Sequence, residues 1–390
     1  MVQSKFNHFL DRLVRPTIWL MGRFWPTFQI CGYSGLALTV LLGTILVTRT
    51  GLSYWVMSGL ILTAVVTILA TIVLTKILTG AEQLTYHHHE IAVLGSTSLL
   101  LYVLGQPLLP YLDIVILGAG AFLMCGRVGC FMAGCCHGQP HRWGVCYRHE
   151  HSAAGIAPYL VGIRLFPIQV AESLYVLSIL LIGIPMVWSG QAAGSTLAWT
   201  IVAYNAGRFS FEFMRGDPGR PYWLGFSEAQ WTALLLTGGV AGLELAGLLP
   251  FSPWYLAVPL LLASVMVLFS RFIDPAGIGE RQLYHPTHIA EVAGALERIK
   301  FAPHLAAIAV QETSLGIRIS AGSVKVDDHQ VEHYTLSAHD GNLSARAAAL
   351  LAKLVLALQT SSRGESAFTS QLLEGSRGAY HLLIQPAHTE

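Results

Sequence analysis

Charge is what this chain of 390 residues has least of: Asp, Glu, Lys and Arg make up 12% of it, against 53% hydrophobic residues and a mean hydropathy of +0.55. A soluble domain carries about 25% charged residues, so an ordinary cytosolic enzyme is excluded and a membrane-embedded chain is implied. A basic excess is missing too. The formal net charge is +1, which leaves nothing to neutralise nucleic-acid phosphates, and nucleic acid is not expected as a partner. The six cysteines contain no CxxC pair, which removes the signature of a zinc ribbon. There is no internal repeat and no low-complexity linker. No small-residue cleavage site interrupts the first apolar run, which argues against a cleavable signal peptide.

The charge that is present is unevenly spread. Residues 1–272 hold 14 of the 23 Lys and Arg and 10 of the 22 acids, whereas 273–390 hold 9 and 12, with 8 of the 16 His. This divides the chain into an interfacial N-terminal segment (1–27), a transmembrane part (28–272) and a soluble C-terminal domain (273–390). The first segment intersperses Lys5, Arg12, Arg15 and Arg23 with Phe6, Phe9, Leu10, Trp19 and Trp25, the composition of a membrane-surface segment.

A membrane helix needs about 20 apolar residues. Eight stretches qualify as candidates: 28–48, 52–78, 91–110, 114–132, 168–188, 193–213, 228–248 and 254–272. The expected fold is an all-α polytopic membrane protein of about seven or eight transmembrane helices, followed by a small α+β domain. In the tail, helix periodicity runs from His288 to Ile299 and Ser344 to Leu358. Strand alternation marks Gly316 to Val326, Val331 to Leu336 and Tyr380 to Ile384. Loop charges put the N-terminus, the loops after the second, fourth and sixth spans, and the tail on the cytoplasmic side.

Three polar clusters stand where a lipid-facing helix would not tolerate them. Tyr86-His87-His88-His89-Glu90 precedes the third span. Cys125 to Pro140, containing Arg127, Cys130, Gly134, Cys135, Cys136 and His137, ends the fourth. Gly207 to Pro218, containing Arg208, Glu212, Arg215 and Asp217, ends the sixth. With alternating helix direction, all three and the start of the fifth span, with Gln169 and Glu172, share one membrane face. Arg127 and Arg208 are permanently charged forks suited to a phosphate; the plain alternative is a snorkelling or salt-bridged arginine, Arg208 with Glu212 one turn on. On a helix at most one or two of the three consecutive histidines can face a common centre. The cysteines leave several readings open: buried packing, a disulfide, a reactive thiol, or a metal. Adjacent Cys135 and Cys136 do not easily serve one zinc, so no metal or cofactor is expected.

These residues resemble the prolipoprotein diacylglyceryl transferase family. The resemblance rests on Gly126-Arg127-Val128-Gly129 with Phe131, Gly134 and Gly138-Gln139-Pro140 before Trp143-Gly144-Val145. It rests further on Pro167-Ile168-Gln169-Val170-Ala171-Glu172 and on Arg208-Phe209-Ser210-Phe211-Glu212-Phe213-Met214-Arg215 with Asp217, and extends to Tyr33-Ser34-Gly35 and His87. It covers about residues 28–248. It implies a membrane transferase that moves a diacylglyceryl group from phosphatidylglycerol to the cysteine thiol of a lipobox prolipoprotein in lipoprotein maturation, in the bacterial cytoplasmic (inner) membrane. The implied catalytic residues are His87, Arg127, Arg208 and Glu212; the implied substrate contacts are Tyr33, Cys130, Gly134, Cys135, Gln169, Glu172 and Arg215. The chain departs from the family pattern at Cys130 and Ala133, where Asn is usual, at Cys135, where Glu is usual, at His88 and His89, which replace glycines, and at Phe166, which replaces histidine. The family's active face is extracytoplasmic, opposite to the loop-charge reading. A degenerate lipid-binding scaffold and a thiol- or metal-dependent membrane enzyme on the same fold are the alternative functions.

Overall fold

The computed structural model describes residues 2–80, 86–217, 221–272, 280–300, 309–326, 329–339, 341, 343–360 and 368–386. The chain opens with α1 (Val2–Leu13) and a hairpin of β1 (Thr17–Leu20) and β2 (Arg23–Pro26). Helices α2 (Thr27–Thr50), α3 (Tyr54–Thr79), α4 (Tyr86–Val103) and α5 (Leu108–Ala133) follow. A head loop then carries the antiparallel pair β3 (Pro140–Cys146) and β4 (Arg164–Leu165). Next come α6 (Ile168–Trp188), α7 (Ser195–Phe211), the short pair β5 (Tyr222–Trp223) and β6 (Phe226–Ser227), α8 (Glu228–Leu245) and α9 (Pro253–Phe272).

Long helices thus stand at all eight expected stretches. Five are long and apolar enough to cross a bilayer: α2, α3, α5, α6 and Pro253–Arg271 of α9. The other three, α4, α7 and α8, have 18, 17 and 18 residues and carry the ionisable groups that lower their apolarity, among them His87, Arg208 and Glu244. The third stretch is displaced toward the N-terminus relative to the 91–110 expectation. The described helix runs from Tyr86 to Val103, so the His87–Glu90 cluster is helical rather than a preceding loop. Within its membrane-length window 56% of α5 is buried, against 11% of α3, which makes α5 the central pillar. Its start is tied to α7: the Asp113 carboxylate accepts from the backbone N–H of Gly194 and Leu197, each at 2.7 Å. A carboxylate there satisfies donors that an N-terminus leaves open and complements the helix dipole.

The N-terminal segment is docked through polar contacts. Asn7 accepts from the Gly144 N–H at 3.0 Å and donates to the Arg142 carbonyl. Asp11 takes two bonds at 3.0 Å from the Arg164 guanidinium and one from the Cys146 N–H. Leu10 and Val14 enter the same buried apolar cluster as Val145, Tyr147 and Leu165. The hairpin keeps Trp19, Met21 and Phe24 exposed.

The tail contains α10 (Glu280–Leu283), α11 (Pro286–Lys300), β7 (Val310–Glu312), β8 (Ile317–Val326), β9 (His329–Ala338), α12 (Ala345–Thr360), β10 (Phe368–Glu374) and β11 (Tyr380–Pro386). The strands form one antiparallel sheet in the order β10-β11-β9-β8-β7. Alternation puts Ile317, Ile319, Leu336, Leu382 and Ile384 inside, where α11 and α12 contribute Val292, Leu296, Leu351 and Val355. All three strands and both helices expected from sequence are present; β7, β10 and α10 are additions. The expected boundary at 273 lies outside the described residues.

Candidate active site

Three loop segments are stapled together at the ends of α5, α6 and α7. The Gly138 N–H donates to Phe166 O (3.2 Å), Gln139 N–H to Met214 O (3.0 Å) and Gly216 N–H to His137 O (2.9 Å). The crossing requires glycine on both sides: a Cβ on Gly138 would lie 2.5 Å from Phe166 O, and one on Gly216 would lie 2.4 Å from Gly138 O. Another close approach joins the helices themselves, where a Cβ on Gly207 would sit 2.1 Å from the Tyr175 ring. Sequence positions far apart are thereby held at one depth.

At that depth lies a buried network of charge. Arg127 Nη2 is 3.0 Å from Glu172 Oε1, and Arg215 Nη1 is 3.7 Å from Glu172 Oε2. Tyr204 donates to Glu172 Oε1 at 3.1 Å. Arg208 pairs with Glu212, and Arg215 forks onto Asp217 with bonds of 2.8 and 3.0 Å. Arg127, Glu172, Arg208, Glu212 and Arg215 are each less than one-tenth exposed. Such burial is tolerable only because each charge has an opposite neighbour. The network nevertheless keeps open capacity: Arg127 Nε and Gln169 Oε1 are buried with no hydrogen-bond partner among the described residues, while His87 and Asn205 meet side chain to side chain. Buried polar groups are normally satisfied, so these two open atoms, on α5 and α6, are available to a polar ligand.

Close to Arg215 and Arg127 is sulfur. The Sγ atoms of Cys130, Cys135 and Cys136 lie within 4.8 Å of one another. Gly134 ends α5 in the left-handed conformation (φ +88), its N–H bonded to Cys130 O, and Cys136 also has positive φ (+53). That second reversal returns Cys136 toward Cys130 and removes the sequence objection that adjacent cysteines cannot share a centre. Gln169 anchors the loop by donating to Cys135 O at 2.8 Å, and Tyr147 donates to Phe131 O at 3.0 Å. Burial is the largest influence on both flanking groups, holding the His137 imidazole below its usual range and pushing the Tyr147 phenol above its own.

The expected site residues divide clearly. His87, Arg127, Cys130, Gln169, Glu172, Arg208, Glu212 and Arg215 are all buried around this region. Of the three consecutive histidines only His87 is buried; His88 is exposed and pairs with Glu228 at 2.6 Å. Gly134 packs on the Tyr147 ring. Tyr33 is not drawn in: it is 62% exposed on α2, and no hydrogen bond ties it to the network among the described residues. Tyr204 and Asn205 were not anticipated. An Asn three residues before Arg208 in an apolar helix shares its face, and that spacing was the available signal.

The prolipoprotein diacylglyceryl transferase family model matches residues 84–245. The chain is 31% identical over 134 residues to phosphatidylglycerol–prolipoprotein diacylglyceryl transferase 2 of Clostridium perfringens (strain 13 / Type A), covering 33% of this chain and 48% of that protein. It is 31% identical over 129 residues to phosphatidylglycerol–prolipoprotein diacylglyceryl transferase of Clostridium tetani (strain Massachusetts / E88), covering 32% and 49%. The matched stretch spans about half the length of these relatives. It holds His87 and every arginine and glutamate of the buried network, and over that segment the chain is similar to the prolipoprotein diacylglyceryl transferase family.

Proposed function

We propose that this protein is a multi-pass enzyme of the bacterial cytoplasmic membrane that transfers a diacylglyceryl group from phosphatidylglycerol to the cysteine thiol of a lipobox prolipoprotein. The observation that carries the reading is the buried convergence of Arg127, Arg208 and Arg215 with Glu172 and Glu212 at the ends of three helices. The relatives' names supply the substrate class. The reaction is alkylation of sulfur at a carbon whose leaving group is a phosphate. Arginines meet its main demand, which is stabilisation of charge on the departing oxygen.

In this reading Arg127 keeps one guanidinium edge on Glu172 and offers its unpartnered Nε to the phosphate. Glu212 orients Arg208, and Asp217 orients Arg215. Buried His87 lies beside Asn205, where an imidazole can take a proton from an acceptor thiol or deliver one to the leaving glycerol phosphate. Exposed Tyr33 on α2 would meet lipid at the margin. The transmembrane part is 28–272, with seven or eight spans, and 273–390 is a separate soluble domain. The site face is extracytoplasmic, and a reporter fused after Arg271 tests this.

Complementation of a strain depleted of its own transferase tests the function. Wild-type protein should restore lipoprotein maturation and Arg127→Ala should not. Failure of a stably expressed wild-type protein, together with no phosphatidylglycerol co-purifying in an Arg127- and Arg208-dependent manner, overturns the reading.

A further inference from the structure

Cys130, Cys135 and Cys136 form a compact group of three sulfurs beside Arg127, and the proposed transfer uses none of them. Their separations within 4.8 Å compare with about 3.8 Å between thiolates that share a tetrahedral zinc at 2.3 Å. A shift of about 1 Å or less per sulfur closes that gap, within the reach of χ1 adjustments. The backbone is already arranged for it. Cys130 comes from the last turn of α5, Gly134 reverses the chain, and Cys136 occupies a left-handed conformation that a non-glycine residue rarely adopts. Gln169, bonded to the Cys135 carbonyl, is the kind of outer partner that fixes a ligating loop.

Electrostatics fit as well. Three thiolates around a divalent cation form a unit of net charge −1, and the guanidinium charges of Arg215 and Arg127 both act on Cys136. Sulfur donors select thiophilic ions over magnesium or calcium, and three protein ligands leave a fourth position open.

We infer that Cys130, Cys135 and Cys136 constitute a three-thiolate site for a thiophilic divalent cation, zinc being the probe, whose open fourth position takes the acceptor thiol. The second half rests on the transferase reading above. An acceptor thiol bound there gives its proton to solvent, because a coordinating thiol is deprotonated. Its sulfur lone pair attacks the diacylglyceryl carbon that bears the phosphate oxygen. The S–C bond forms, the C–O bond breaks, and the bonding pair leaves with the oxygen of glycerol phosphate, held by the arginines. No electron is exchanged with an external donor. The site thus supplies thiol activation at the positions where this chain has lost the family's usual Asn and Glu.

The test uses the full chain, purified in detergent under reducing conditions, loaded with zinc, gel-filtered and assayed for metal and for transfer to a lipobox peptide. Wild-type protein and a Cys125→Ser control should hold about one zinc per chain, and a combined Cys130→Ser, Cys135→Ser, Cys136→Ser variant about one-tenth of that or less. Cobalt(II)-loaded wild-type protein should show sulfur-to-metal charge transfer and the intense visible bands of a tetrahedral ion, a readout needing no variant. Stripping zinc should lower transfer at least about tenfold, with recovery on readdition. No zinc in wild-type protein, zinc undiminished in the triple variant, or a disulfide among the three cysteines that blocks loading overturns the site. Full transfer by zinc-free protein overturns the acceptor role and leaves the transferase reading intact. Bound zinc without transfer in any preparation overturns the transferase reading and leaves the metal site standing.

Discussion

The charged network and the sulfur cluster near Arg127 are built on opposite principles. On one side, guanidinium and carboxylate groups are buried in matched pairs, with Glu172 reached by Arg127, Arg215 and Tyr204 at once. On the other, three sulfurs share a loop whose shape is set by two positive φ values, with Cys135 and Cys136 partly accessible. Removing one member of the first group strands a charge in a low-dielectric interior. Removing one member of the second leaves a small polar atom near a loop. The charged side is therefore part of what holds the bundle together, whereas the sulfur side is free to vary in chemistry at low structural cost.

The sharpest way to break this contrast is at Glu172. Glu172→Gln should destabilise the protein by about 3–5 kcal/mol, the usual consequence of breaking a buried pair from one side, seen as a fall in the thermal midpoint of the detergent-solubilised chain. A loss no larger than that of a surface variant would show that water already reaches the network. Arg127→Lys is next. It keeps the charge but not the fork, and transfer should fall about 10²- to 10³-fold, with little change in the thermal midpoint. At Gly207, alanine should cost about 1–3 kcal/mol through overpacking against Tyr175, and Tyr175→Leu in the same chain should restore most of it. The smallest effect belongs to the sulfur side: in zinc-free protein Cys135→Ser should change stability by less than about 1 kcal/mol, measured by the same melt. A large loss there would erase the distinction between the two sides.

Much of this is legible in the sequence. Scarcity of charge singled out Arg127, Glu172, Arg208 and Glu212, because a charge in an apolar run must be explained. The alternation of the tail placed β8, β9 and β11, since period two is a local property. What could not be read was local in a different sense. That the His87–Glu90 cluster lies inside α4 goes with His87 and Glu90 turning inward while His88 meets Glu228, a contact across 140 residues. Tyr33 matches the family motif, yet its side chain is largely exposed, which spacing along α2 does not reveal. Adjacency made Cys135 and Cys136 look incompatible as partners because the backbone was assumed regular. One residue with positive φ was enough to undo that assumption.

The Asp113 cap has a mechanical consequence. About 21 Å along α5 from Arg127, at 1.5 Å per residue, it grips the first turn of α7, while the Gly138–Gly216 crossing grips the other end. Two parallel rods clamped at both ends cannot slide past one another, so the small shear by which packed helices commonly respond to ligands is denied to this pair. Any stroke that admits a two-chain lipid then falls to the helices outside the clamp, with α5 and α7 serving as the anvil.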